Sequence, residues 1–95
     1  MNYSTDLIDA MKTAQNLTSD YKAAQVLGIT RGMICNIRAG RRHLAPEQIV
    51  KAAELAGIDP KLALMRRYKE TIDDLKTRLY VEEIEEQIQG LKDAS

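Results

Sequence analysis

DYKAAQVLGITRGMICNIRA, residues 20–39, is followed at once by Gly40, Arg41 and Arg42. Its small and apolar residues fall where two short helices crossing at a tight turn require them, so the stretch reads as a helix-turn-helix. Ala24 sits where the first helix must let the second approach closely. Gly28, four residues on, sits where the chain turns through a conformation that glycine reaches without strain. Ile29 supplies an apolar plug behind the turn, and Thr30 is a good N-cap for the second helix. Val26 and Leu27 before the turn, with Ile34 and Ile37 after it, give a buried stripe at helical spacing.

The other side of the second helix is left to face something else. Thr30, Arg31, Gly32, Cys35, Asn36 and Ala39 project there, starting from a helix N-terminus whose N–H groups and dipole favour an anion. Residues 30–42 hold four arginines and no acid. A narrow positive helix suits the major groove of DNA. In that reading Thr30, Arg31, Gly32, Cys35 and Asn36 meet base edges, with Arg31 matched to guanine and Asn36 to adenine. Thr18, Ser19, Tyr21, Lys22, Arg38, Arg41, Arg42 and His43 are assigned to the phosphate backbone, which sets register and dominates affinity. Asp20, in their midst, opposes that assignment. Gly32 costs roughly 1 kcal/mol of helix propensity and removes one reader, while letting the backbone come close to a duplex.

Residues 20–42 resemble the helix-turn-helix of the lambda repressor and Cro class of phage regulators. Ala24, Gly28, Ile29, Ile34 and Ile37 stand on that family's key positions, and A-G-R closes the motif as in Cro-like proteins. Residues 44–64, including PEQIVKAAELAG at 46–57, look like the fourth and fifth helices of the same domain. The resemblance implies an all-α, five-helix DNA-binding domain over 1–70, with 71–95 left as a helical, acidic extension. It further implies a dimeric repressor of phage or prophage type, bound to an inverted repeat overlapping a promoter.

Ninety-five residues suffice for one small domain and a tail. One cysteine excludes an internal disulfide framework and suits a reducing cytoplasm. No apolar run approaches the roughly 18 residues of a membrane span, and no basic-then-apolar leader opens the chain. Neither anchoring nor secretion is expected. The formal net charge of zero hides an asymmetry: residues 1–70 hold 11 basic against 7 acidic side chains, and residues 71–95 hold 3 against 7. The local field around residues 30–42 is therefore positive.

A first helix is expected over 5–16, capped by Ser4 or Thr5, with Leu7, Ile8, Met11, Ala14 and Leu17 on its inner face. Thr18 or Ser19 caps the next. After the second helix of the motif Gly40 provides a left-handed stop. Pro46 opens a fourth helix with Ile49, Val50, Ala53 and Ala56 inward, and Gly57 ends it. Asp59 and Pro60 open a fifth.

From there no proline or glycine intervenes until Gly90, while Met65, Tyr68, Ile72, Leu75 and Leu79 recur at alternating steps of three and four. That is a heptad seam of about two heptads. Beyond it the apolar phase shifts to Val81, Ile84, Ile88 and Leu91, so either one long helix changes partners or a second helix folds back. Dimerisation through Met65, Tyr68, Ile72, Leu75, Leu79, Ile84 and Ile88 would bury the seam and set two reading helices roughly 34 Å apart.

Two rivals stay open. An antitoxin would repress its own operon and use the acidic tail to hold a toxin; a protein-interaction module would keep the fold without DNA. Catalysis is not expected, since no phosphate-binding glycine loop, H-E-x-x-H or framed Ser-His-acid set occurs. No cofactor is called for, and His43 has no second ligand at metal spacing.

Overall fold

Helix ends in this chain are set by local chemistry, and the order of helices is a consequence of it. The computed structural model describes residues 2–94, which form α1 (Tyr3–Ala14), α2 (Asp20–Leu27), α3 (Arg31–Arg38), α4 (Pro46–Ala56), α5 (Pro60–Lys69) and α6 (Leu75–Ala94), with no strand among them. The first helix begins earlier than its sequence suggests, because Asn2 is its cap: the Asn2 carboxamide oxygen accepts from the Ser4 N–H at 2.9 Å. Ser4 is instead buried, its hydroxyl accepting from the Leu44 N–H at 3.0 Å. Ser19, Thr30 and Asp59 cap α2, α3 and α5 as expected. Ala45, which has no side-chain acceptor, precedes α4, and Gln48 reaches back to the Ala45 N–H at 2.9 Å.

Leu7, Ile8 and Met11 of α1 meet Ile34 and Ile37 of α3 and Ile49 of α4 in one core, all essentially out of water. Each such side chain contributes about 1.5 to 3 kcal/mol by burial. Alanines at 23, 24, 52, 53 and 63 line the crossings and let the helices approach closely. The inner stripe of α4 runs through Ala52; Val50 is only half-buried. Ala14 is exposed, and Leu17 packs on the core from the loop.

The expected heptad seam is interrupted. After Lys69 the chain closes with Thr71 N–H to Tyr68 C=O at 2.9 Å and Ile72 N–H to Lys69 C=O at 3.2 Å. Asp74 then caps a new helix, accepting from the Thr77 N–H at 2.8 Å and the Thr77 hydroxyl at 2.6 Å. Those two bonds hold the Asp74 carboxyl below the usual range. A single helix from Pro60 through Ala94 would be roughly 50 Å long at 1.5 Å per residue, and the molecule's longest dimension is 37 Å. The tail therefore folds back.

α6 lies on α5, burying Val81 and placing Glu85 3.1 Å and Glu82 3.9 Å from the Lys69 ammonium. Met65, Ile72 and Ile88 are half-buried, whereas Tyr68, Leu75, Leu79 and Ile84 are exposed. The seven residues expected at a dimer contact thus fall on α5, α6 and, for Ile72, the connection between them. On α6 itself, Leu79 lies about 100° around the helix from Tyr80. No helix among the described residues is long and apolar enough to cross a membrane.

Candidate functional site

α3 is positioned by a turn, a cap and two buried residues. Gly28 takes the left-handed conformation at φ +70°, and the next N–H, from Ile29, returns to the Ala24 carbonyl at 3.0 Å. Ile29 then packs on the core, and the Thr30 hydroxyl accepts from the Met33 N–H at 3.0 Å. Ile34 and Ile37 are fully buried. Thr30, Arg31, Gly32, Cys35 and Ala39 are consequently exposed, with Asn36 half-exposed beside them.

The last residue of α3 does not serve as a free cation. Arg38 donates through Nη2 to Asp9 at 2.7 Å and to Asp20 at 2.9 Å, and through Nε to Asp20 at 3.2 Å. Lys12 closes on the same Asp20 carboxylate at 3.0 Å. The hydrogen bonds from Arg38 and then Lys12 outweigh burial and hold Asp20 at about 2, down from 3.8. The hydrogen bonds to Asp20 and then to Asp9 push the Arg38 guanidinium up. Arg38, expected at DNA phosphate, has its charge engaged by Asp9 and Asp20 and ties α3 to α1 and α2. Asp20, expected to repel phosphate, is offset by two cations within 3.0 Å.

Asn2, which the sequence did not single out, and Ser4, expected as a helix cap, complete the support. Asn2 donates from Nδ2 to the Ile37 carbonyl at 3.0 Å and the Arg42 carbonyl at 3.3 Å, stitching the start of α1 to the end of α3. Ser4 holds the following loop through Leu44. Their only local signal is the preference of asparagine and serine for helix starts; the long-range bonds have none.

Thr18, Ser19, Tyr21, Arg31 and Cys35 line an open groove of ≈ 670 Å³ together with the Asp9, Lys12, Asp20 and Arg38 cluster. The Ser19 hydroxyl is occupied as the α2 cap, accepting from the Lys22 N–H at 3.2 Å. Lys22 is exposed on α2. A Cβ added at Gly32 would meet only the Thr30 hydroxyl, at 3.8 Å, so nothing inside this chain requires a glycine there.

At the other end of α3, Gly40 takes φ +79°, its N–H bonding the Ile37 carbonyl at 3.0 Å. Arg41 is thereby carried back over α3: its N–H reaches the Asn36 carbonyl at 2.9 Å, and its Nε reaches Asn36 Oδ1 at 3.0 Å. Arg41 and Arg42 are exposed. His43 lines a depression with Lys69, Glu70, Ile72, Asp73 and Arg78, facing the α5–α6 connection. Among the described residues no three His, Cys, Asp or Glu side chains gather as a metal site.

The chain matches no protein-family model, no curated protein and no solved structure.

Proposed function

We propose that α3 is the reading helix of a sequence-specific, double-stranded DNA-binding regulator of transcription, with α2 and α3 forming a helix-turn-helix like that of the lambda repressor and Cro class. One observation carries the reading. The exposed side of α3 and the residues after it present Arg31, Arg41 and Arg42, while Asp9 and Asp20 beside α3 are engaged by Arg38 and Lys12, and Glu70, which shares a depression with Ala39 and Gly40, pairs with Arg67. A rigid, acid-free cationic helix matches a polyanionic groove. Arg31 at the N-terminus of α3 is the base reader; Arg42, Lys22 and the hydroxyls of Thr18 and Tyr21 contact phosphate.

The protein acts as a dimer on an inverted repeat. Tyr68, Leu75, Leu79, Tyr80, Ile84 and Leu91 are large apolar side chains left in water, more than a helix pair of this size leaves without a partner. A second copy covers part of them. The competing occupant is a basic protein, which the exposed Glu83 and Glu86 next to Ile84 would favour.

Selection from a randomised duplex pool at near-physiological salt tests the reading, with sedimentation of the free chain run alongside. A two-fold symmetric site, affinity falling steeply with salt, loss of selectivity in Arg31→Ala and a dimer in solution are expected. A folded chain that enriches no sequence would overturn it.

A further inference from the structure

Tyr3 marks one edge of the contact between α5 and α6. Its ring centroid lies 5.9 Å from the Arg66 guanidinium carbon of α5, and the Glu85 carboxylate of α6 is close enough to act on its hydroxyl electrostatically. Going round each helix away from Tyr3 at about 100° per residue, α5 shows Lys69, then Met65, then Tyr68, and α6 shows Val81, then Ile88 and Ile84, then Leu91 and Tyr80. Val81 is buried and Lys69 reaches Glu85 at 3.1 Å, so these two lie at the middle of the contact. Both series therefore emerge on one side, the side that faces away from Tyr3.

Exposure follows the same path. Met65 and Ile88, next to the contact, are half-buried, while Ile84 at 43%, Tyr68 at 53%, Tyr80 at 59% and Leu91 at 75% stand in water. These six make one apolar face across two helices. Between residues 77 and 91, the part of α6 within about 120° of Val81 on this side adds only Thr77 and Gln87 and carries no charge. Glu82, Glu85 and Glu86 lie round the other way, with Leu75 and Leu79 among them. A basic partner would meet its acids on that other side. A second copy suits the uncharged face, because a two-fold contact sets a patch against itself and matches apolar surface with apolar surface.

We propose that Met65, Tyr68, Tyr80, Ile84, Ile88 and Leu91 form the face on which a second copy of this chain docks, its α5 and α6 packing on theirs as a four-helix bundle. This rests on the dimer reading above and specifies which exposed residues meet. Leu75 and Leu79, expected in the same contact, stay outside it. Asn2, next to Tyr3 in the chain, bonds the Ile37 carbonyl at the end of α3. The docked copy lies on the side of α5 and α6 away from that junction and leaves the reading helix uncovered.

The test is sedimentation equilibrium of the full-length chain and of Tyr80→Asp, Tyr68→Asp and Leu79→Asp, each checked for folding by circular dichroism. All three positions are more than half exposed, so a charge there leaves the fold intact. Tyr80 and Leu79 are neighbours in sequence and alike in exposure, and they differ in the side of α6 they occupy. The unaltered chain sediments as a dimer. Tyr80→Asp and Tyr68→Asp each raise its dissociation constant by more than about tenfold, as disruption at the centre of a contact does. Leu79→Asp changes it by less than about twofold, as a surface substitution outside the contact does. If Leu79→Asp weakens the dimer as much as Tyr80→Asp, or if Tyr68→Asp has no effect, the proposed face fails while the dimer stands. If the unaltered chain sediments as a monomer at every concentration, with or without duplex, the dimer reading fails and this face with it, while selection of duplex by that monomer would keep the reading helix.

Discussion

α3 and α6 differ in what holds them. α3 has eight residues, too few to be stable alone, yet it is gripped at both ends and beneath: by the Gly28 turn and Thr30 cap, by Ile34 and Ile37, by Arg38 on Asp9 and Asp20, and by Asn2 on the Ile37 carbonyl. α6 has twenty residues and, among those whose burial is described, buries one apolar side chain, Val81, with Lys69 as its charged anchor. The shorter helix is thus the one held by more long-range tethers. A surface that must meet a ligand in one register needs the first arrangement; an arm that meets a partner can use the second.

Cutting beneath each helix is the sharpest way to break that contrast. Ile37→Ala should cost about 2 to 5 kcal/mol, lowering the thermal midpoint of the whole chain. Val81→Ala should cost about 1 to 2 kcal/mol, and amide exchange should show the loss in α6 while α1–α4 keep their protection. Equal loss of protection throughout would mean that α6 is as integral as α3.

Acid probes the tether itself. Asp20 has its folded pKa held at about 2, below the ordinary 3.8. The stabilisation is therefore fully present above about pH 4 and is lost as pH falls through 2. After discounting for solvent, since a third of its side chain is exposed, we expect roughly 1 kcal/mol. Denaturant titrations from pH 5 to pH 2 should show that loss, and Asp20→Asn should lower stability at neutral pH by a similar amount while flattening this part of the pH profile.

The smallest effect separates folding from binding on α3. Gly32→Ala introduces a Cβ whose nearest neighbour is 3.8 Å away, so the chain should gain up to about 1 kcal/mol of stability from helix propensity. DNA binding should weaken several-fold, because the methyl group intrudes on the close approach. A variant both more stable and unchanged in affinity would show that this side of α3 does not contact a duplex closely.

Much of the first sixty residues was legible from sequence. Gly28, Thr30, Pro46, Gly57, Asp59 and Pro60 mark helix boundaries where the structure has them. The Asp74 cap was also written in the chain, as an aspartate three residues before Thr77, but the apolar spacing from Met65 to Leu79 argued for continuity across it. Capping of α6 by Asp74 and burial of Val81 accompany the break. The candidate site was legible in its composition and less so in its electrostatics, since the availability of Arg38 depends on its partners.

Sequence by itself determined where α2, α3, α4 and α5 start, because a cap is a bond between residues two to five positions apart and its chemistry is local. Only the tertiary structure decided which charges remain available. Arg38 is 29 residues from Asp9 and 18 from Asp20, and Asn2 is 35 from Ile37. Packing α1 against the rest of the core brings those groups within hydrogen-bond reach, removes Arg38 from the outward charge and leaves Arg31, Arg41 and Arg42 facing solvent.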